Sequence, residues 1–289
     1  MANTLSIQEK NELTLSVIFQ RFTGKILFTL GLLSLENILM IAMPFLLGLA
    51  IDGLLAGDKQ PLYLLAAVLI LSTILGTARR FYDTRVYSHI AARLAREVAE
   101  KQLARQSSVS KVNTRVEMVS ELVDFFEYEL VESFNAVIKL VGTLVMLGFF
   151  HINLLLTALA CTAFIVVIYL ISGTRYFNLN RALNDQHEQQ VDILTAGQRP
   201  SLFRHFTAMA RSKVRLSDIE ALNFGGVFIL ISLLIVINLV LASEVVGITT
   251  GGLFSVLTYT WEFAEVAIVL PLVYQQWVRS KEISTRLEH

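Results

Sequence analysis

The sequence has one cysteine and four prolines in 289 residues. A single thiol closes no disulfide and builds no Cys-based zinc or iron–sulfur centre. Cys161 sits in an apolar run and reads as a small packing residue. Charge is also scarce, at 17% of residues, against about 25% in an ordinary soluble domain. Its signs balance, 24 basic against 24 acidic, so nothing points to nucleic acid or an acidic partner. Four prolines and 15 glycines exclude a collagen-like chain. With 54% hydrophobic residues and segregated charges, disorder and an ordinary soluble enzyme domain are excluded as well. The first 25 residues lack the basic start, apolar core and small-residue cleavage site of a signal peptide. The ending Leu287-Glu288-His289 resembles the junction of a cloning-vector histidine tag, so 287–289 is read as a tag remnant.

What is present is long uncharged sequence. The stretches 26–35, 37–51, 60–78, 140–174, 221–243, 245–261 and 266–278 carry no charged residue. A membrane span needs roughly 20 apolar residues at about 1.5 Å each. The run 140–174 is too long for one span and holds His151 and Asn153 near its middle, which reads as a hairpin with a very short turn. Six spans follow, near 26–51, 61–79, 134–150, 152–173, 221–243 and 252–276, apolar around most of their circumference as lipid requires. Of the 24 basic residues, 22 fall in 1–25, 79–133, 174–220 and 277–289. The short connections on the other side carry only Lys59. That asymmetry predicts both termini and both long connections in the cytoplasm of a plasma (bacterial inner) membrane protein.

The long connections continue the spans. From Arg79 the text keeps Ile90, Leu94 and Val98 at four-residue spacing, and the return arm keeps Val119, Val123, Phe126 and Leu130. The second connection descends to a Gly197/Pro200 break and climbs back. Two helical stalks, about 79–133 and 174–220, are therefore expected, each arm roughly 35–40 Å long. Residues 1–25 hold Leu13, Val17, Ile18 and Phe22 among polar neighbours, an amphipathic elbow that would lie in the membrane surface. The remaining body is 26–286.

Four ionisable residues fall inside spans: Glu36, Lys139, Glu262 and Glu265. Helix arithmetic puts all four near the bilayer midplane, give or take a turn. An ion there costs on the order of 3 kcal/mol, so each should face a cavity, pair or be protonated. Asn37, Asn135 and Tyr259 are close in sequence. One reading is an acidic cavity for a cationic or amine-bearing solute, with Lys139 neutralising one carboxylate. The other is a Lys139–Glu salt bridge that only pins helices. Pro44 and Pro271 sit inside the first and sixth spans, as hinges or as static kinks. His89, His151, His187 and His205 are scattered, so no metal site and no catalysis are expected.

This plan resembles the transmembrane domain of ATP-binding-cassette exporters: an elbow, six spans, and two long helical loops after spans two and four. The text MPFLLGLAIDGLLAGD, from Met43 to Asp58, is similar to that family's first-span exit. VYSHIAARLAREVAEKQLAR resembles its second-span extension, and TRVEMVSELVDFFEYELVESF its climb into the third. The resemblance covers about residues 10–285. It implies an all-α, six-helix, helix-exchanged homodimer and short coupling helices at the stalk tips. By position the tips would hold Val109, Ser110, Lys111, Val112 and Asn113 in one stalk, and Gly197, Gln198, Arg199 and Pro200 in the other. The bland alternative is that both tips merely turn the chain.

No G-x-x-x-x-G-K-[ST] phosphate loop occurs. Leu194-Thr195-Ala196-Gly197-Gln198-Arg199 resembles the cassette signature LSGGQ, but without a phosphate loop it reads more simply as a helix end. The resemblance therefore implies a permease subunit working by alternating access, with no cofactor of its own and with ATP hydrolysed by a separate nucleotide-binding subunit. Its partners would be membrane lipid, a second copy and an unidentified solute. Two other readings stay open: an ATP-independent, proton-coupled transporter, and a non-transporting regulatory or structural membrane protein.

Overall fold

The computed structural model describes residues 15–106, 108–245 and 247–287, with side chains up to Val269 apart from Lys111, Glu188, Asp192 and Ala196. The first 14 residues of the elbow and residues 288–289 of the tag reading lie outside the described residues. The described chain is helical throughout: α1 Leu15–Ala56, α2 Gln60–Ala104, α3 Val109–Asp124, a π-helical turn Phe125–Glu129, α4 Leu130–Phe150, α5 Ile152–Ala196, α6 Arg199–Ser243 and α7 Thr250–Leu287. Six stretches are long and apolar enough to cross a membrane. The 45 residues of α2, α5 and α6 make rods of about 68 Å, twice what a hydrocarbon layer of about 30 Å requires. Spans and stalks are thus single helices. At the hairpin one residue breaks the run: His151 is extended, and its Nδ1 accepts the Asn153 N–H at 3.2 Å to start α5.

The chain forms two compact units, Met1–Met146 with Gly247–His289, and Leu147–Val246. In the first, Ile18, Phe22 and Ile26 of α1, Val86, Tyr87, Ile90 and Leu94 of α2, Val119, Leu122 and Val123 of α3, and Phe125 and Phe126 of the π turn form one buried cluster. Phe22 alone leaves the helical region within α1 (φ −118°, ψ 20°). The kink lets the elbow fold its apolar face onto the stems of α2 and α3. Of the elbow's apolar residues, Ile18 is 1% exposed and Phe22 8%, both covered by protein, Val17 is half-buried, and Leu13 lies outside the described residues. On the surface of the same stem, Arg21 holds Glu97 through bonds of 2.6 and 2.7 Å.

That ion pair has a pH signature. The Arg21 hydrogen bonds and Arg93 hold the Glu97 carboxyl below its ordinary range. Its contribution is therefore present above the usual carboxylate pKa and lost as pH falls through the lowered value. Both side chains are over a third exposed, so solvent and salt hold the pair below about 1 kcal/mol. The stability gap between the wild type and Glu97→Gln is expected to close on acidification and in high salt. Thermal unfolding across pH and salt checks this.

The second unit is a two-helix arm. Leu154, Ala158, Cys161 and Ile165 of α5 and Val227, Ile231, Leu234, Asn238 and Ala242 of α6 are buried at three- and four-residue spacing, the stripe a two-helix seam needs. Interhelical hydrogen bonds fix its register: Thr157 Oγ1 donates to Asn238 Oδ1 at 2.6 Å, and Asn223 Nδ2 to Ser172 Oγ at 2.8 Å.

The two tips differ from the expected short coupling helices. α5 ends on Gly197, whose φ of 64° is the left-handed cap a glycine tolerates. Gln198 is extended, and α6 restarts at Arg199-Pro200, with proline in the first turn where no N–H is needed. In the first stalk α2 runs to Ala104 and α3 starts at Val109. Val109, Ser110, Lys111, Val112 and Asn113 are the opening turns of a helix that continues to Asp124, and the Lys111 side chain lies outside the described residues. Tight turns suffice to join antiparallel rods, so no separate helix forms at either tip among the described residues.

Candidate functional site

Three helices of the first unit converge on Ile41. Its side chain lies against Gly142 of α4, where a Cβ would collide with it. Its carbonyl accepts the Tyr259 hydroxyl of α7 at 2.6 Å. One turn along, Ser255 Oγ donates to the Pro44 carbonyl at 2.8 Å, and next Gly48 and Gly251 bring their backbones together with no room for a Cβ on either. Small and hydroxylated residues every four positions (Gly251, Ser255, Tyr259) form the α7 face of this seam, the pattern by which helices approach closely in lipid. Pro44 has no N–H to donate to the Met40 carbonyl, yet the backbone there stays helical, with α7 hydroxyls donating to the Ile41 and Pro44 carbonyls on either side. Described α1 therefore kinks at Phe22 and not at Pro44. α7 runs as helix through position 271, and the Pro271 side chain lies outside the described residues.

Asp52 closes the seam at the end bearing the short turns. Its carboxylate accepts the Thr249 hydroxyl at 2.5 Å and the Gly251 N–H at 2.8 Å, while Thr249 Oγ1 accepts the Gly252 N–H at 2.9 Å. An acidic group at the positive end of a helix, satisfying an otherwise orphan N–H, contributes about 1–2 kcal/mol. Asp52→Ala is expected to cost that amount and to fray the first turn of α7. Hydrogen exchange at Gly251 and Gly252 measures the fraying, and unchanged protection there would refute the cap.

Lys139 lies three residues before Gly142 and Glu262 three after Tyr259, so both sit one turn from Ile41 on the stem side. Glu262 is half-buried and within electrostatic reach of Lys139 and Glu265. Glu265 is exposed and accepts the Trp261 Nε1–H at 2.9 Å. Asn37 is 2% exposed and spends its amide on the Leu33 carbonyl of its own helix. Asn135 is half-buried on α4. Among the described residues no ion pair joins Lys139 to Glu36, Glu262 or Glu265. The expected neutralisation by Lys139 is thus not a direct salt bridge.

Glu36 belongs to a different cluster. Its Oε2 accepts Arg79 Nε at 2.6 Å, Arg79 Nη1 donates to Asp83 Oδ2 at 2.8 Å, and Thr29 Oγ1 donates to Asp83 Oδ1 at 2.7 Å. Side-chain exposures are 24% for Glu36, 10% for Arg79 and 7% for Asp83. Gly76 makes this possible, since a Cβ there would meet Glu36 Oε1. Glu36 lies about 24 Å along α1 from Asp52, whereas Glu262 lies about 18 Å along α7 from Thr250. These depths differ by about one turn, and what sets Glu36 apart is that it turns toward α2. Arg79 and Asp83, read from sequence as the first residues of a solvated stalk, are its partners. Hairpin geometry carried the signal, because Glu36 precedes the α1–α2 turn by about as many residues as Arg79 follows it.

Among the described residues no three His, Cys, Asp or Glu side chains gather to hold a metal. Six helices long and apolar enough to cross a membrane fit an integral membrane protein. The chain matches the ABC transporter transmembrane region over residues 15–251 and belongs to that family, which makes it one of the transporter-subunit class. No curated protein matches it.

Proposed function

We propose that the chain is the permease subunit of an exporter-like transporter, working by alternating access as a homodimer in the bacterial inner membrane, with both termini and both stalks cytoplasmic. ATP hydrolysis comes from a separate nucleotide-binding subunit pushing on the tips around Val109–Asn113 and Gly197–Pro200. This chain itself holds no cofactor and is not an enzyme. The unbroken helical stems supply a mechanical link between tips and spans, which supports this division of labour. The solute proposed is cationic or amine-bearing.

The observation that carries the solute reading is Glu262. It is a half-buried carboxylate beside the α1–α4–α7 seam, next to the like charge of Glu265 and, among the described residues, closing no ion pair with nearby Lys139. Such a group at membrane depth needs a counter-charge, and an arriving ammonium provides one. The experiment pairs pull-down from native membranes with uptake of a fluorescent amine into inverted vesicles. A cassette ATPase should co-purify. Glu262→Gln and Glu265→Gln should lower ATP-dependent uptake while leaving the complex intact. Uptake driven by a proton gradient without ATP, or carboxamide variants with full transport, would refute the reading.

A further inference from the structure

A polar hollow on the surface of the first unit lies away from the α1–α7 seam. It is a shallow depression of about 270 Å³ between α1 and α2, lined by Glu36, Met40, Ser72, Thr73, Gly76, Thr77 and Arg80. Two carboxylates, Glu36 and Asp83, share the single guanidinium of Arg79, so one negative charge is left over. Glu36 Oε1, the oxygen not bonded to Arg79, lies across Gly76, a lining residue of the depression. At its rim Arg80 is exposed and makes no ion pair among the described residues. Ser72 and Thr73 donate to the Leu69 carbonyl; the Thr77 hydroxyl makes no hydrogen bond among the described residues. Exposed Met40, Ile70 and Ile74 adjoin it on the membrane side.

Depth narrows the ligand. Arg80 follows Gln60 by about 30 Å of helix, the thickness of the hydrocarbon layer, so the depression opens at headgroup level. We propose that it binds the aminophosphate headgroup of a phospholipid. The phosphate sits on the Arg80 guanidinium and Thr77 hydroxyl, and the primary ammonium folds one turn inward to Glu36 Oε1 and Thr73 Oγ1. A ligand carrying both charges satisfies both unmatched groups without adding net charge at the hydrocarbon edge, and its acyl chains run along the Ile70–Ile74 wall. A trimethylammonium has no N–H for the carboxylate, and a glycerol headgroup has no cation for it. The site is independent of the solute path proposed above.

The delipidated full chain is titrated with ethanolamine, choline and glycerol phospholipids of the same acyl chains, and bound lipid is counted by native mass spectrometry. The ethanolamine lipid should be retained about tenfold over the others, the value of one charge-assisted hydrogen bond. Arg80→Gln and Thr77→Leu leave the Glu36–Arg79–Asp83 cluster untouched, and each should lower retention of all three lipids, which share the phosphate. Glu36→Gln should remove the ethanolamine preference; if it does not fold, Thr73→Val, which takes away the other ammonium acceptor, decides. Free phosphoethanolamine competing with the same dependence on Arg80 and Thr77 would support the headgroup chemistry and make its source soluble. Equal retention of the three lipids by the wild type, Arg80→Gln and Thr77→Leu binding as the wild type does, or a Glu36 or Thr73 variant that keeps the preference would overturn the proposal, as would a depression found covered by a second copy.

Discussion

Arg79→Met is expected to destabilise the protein by about 3–5 kcal/mol, among the largest effects of any single substitution, because it strands two carboxylates at once. Methionine fills similar space, so the loss is electrostatic. Glu36 forfeits its 2.6 Å partner and Asp83 its 2.8 Å partner, in surroundings where Arg79 and Asp83 side chains are no more than 10% exposed. Both acids must then be protonated or hydrated at the edge of the lipid, and α1 and α2 lose their fixed register. Thermal unfolding in nanodiscs measures the loss. Adding Glu36→Gln and Asp83→Asn to Arg79→Met should recover much of it, since the neutral amides keep hydrogen-bonding capacity without charge. A single variant within about 1 kcal/mol of wild type would mean that water already solvates the cluster.

Gly48→Val should prove nearly as damaging for a steric reason. A Cβ at position 48 collides with the Gly251 backbone and with Ser255 Oγ. Backbone cannot yield as a flexible side chain can, so α1 and α7 must separate. Overpacking of this kind costs about 1–3 kcal/mol. The lost Ser255–Pro44 and Tyr259–Ile41 hydrogen bonds add about 1 kcal/mol each, giving about 3–5 kcal/mol in all. Gly24→Ala is the control: nothing lies within 4 Å of that position, so it should be neutral or slightly stabilising through helix propensity. Wild-type stability for Gly48→Val would refute the close approach of the two helices.

The rods were legible in the sequence because lipid enforces a simple rule, that every backbone group be satisfied within the segment. Apolar length alone therefore marks spans, and the four-residue spacing of Ile90 and Leu94 carries the helix onward past Arg79. The break near His151 was equally plain, since His151 and Asn153 interrupt an apolar run too long for one span. Pairing between helices was harder. Hydropathy gives no register, so Arg79 looked like the start of a solvated stalk when it is Glu36's partner. The Ser255 and Tyr259 hydroxyls that bond the Pro44 and Ile41 carbonyls are distant in sequence, and only the meeting of α1 with α7 reveals them. The elbow showed a similar gap: an amphipathic face states that something covers it, and only the structure shows that Ile18 packs with α2 and α3.

The π-helical turn Phe125–Glu129 joins stem to span without a break, but it wedges an additional residue into the winding. Everything after it is twisted about 100° from where a uniform helix would put it. The third stem is thus a crank with a built-in offset. Were that turn to relax to ordinary winding, Lys139 and Gly142 would sweep around the axis together, carrying the ammonium away from Glu262 and withdrawing the seat of Ile41. A rotation at five residues would then reset the charge pattern further up the same rod, with an axial advance of about 1.5 Å for the residue wound in and no bend.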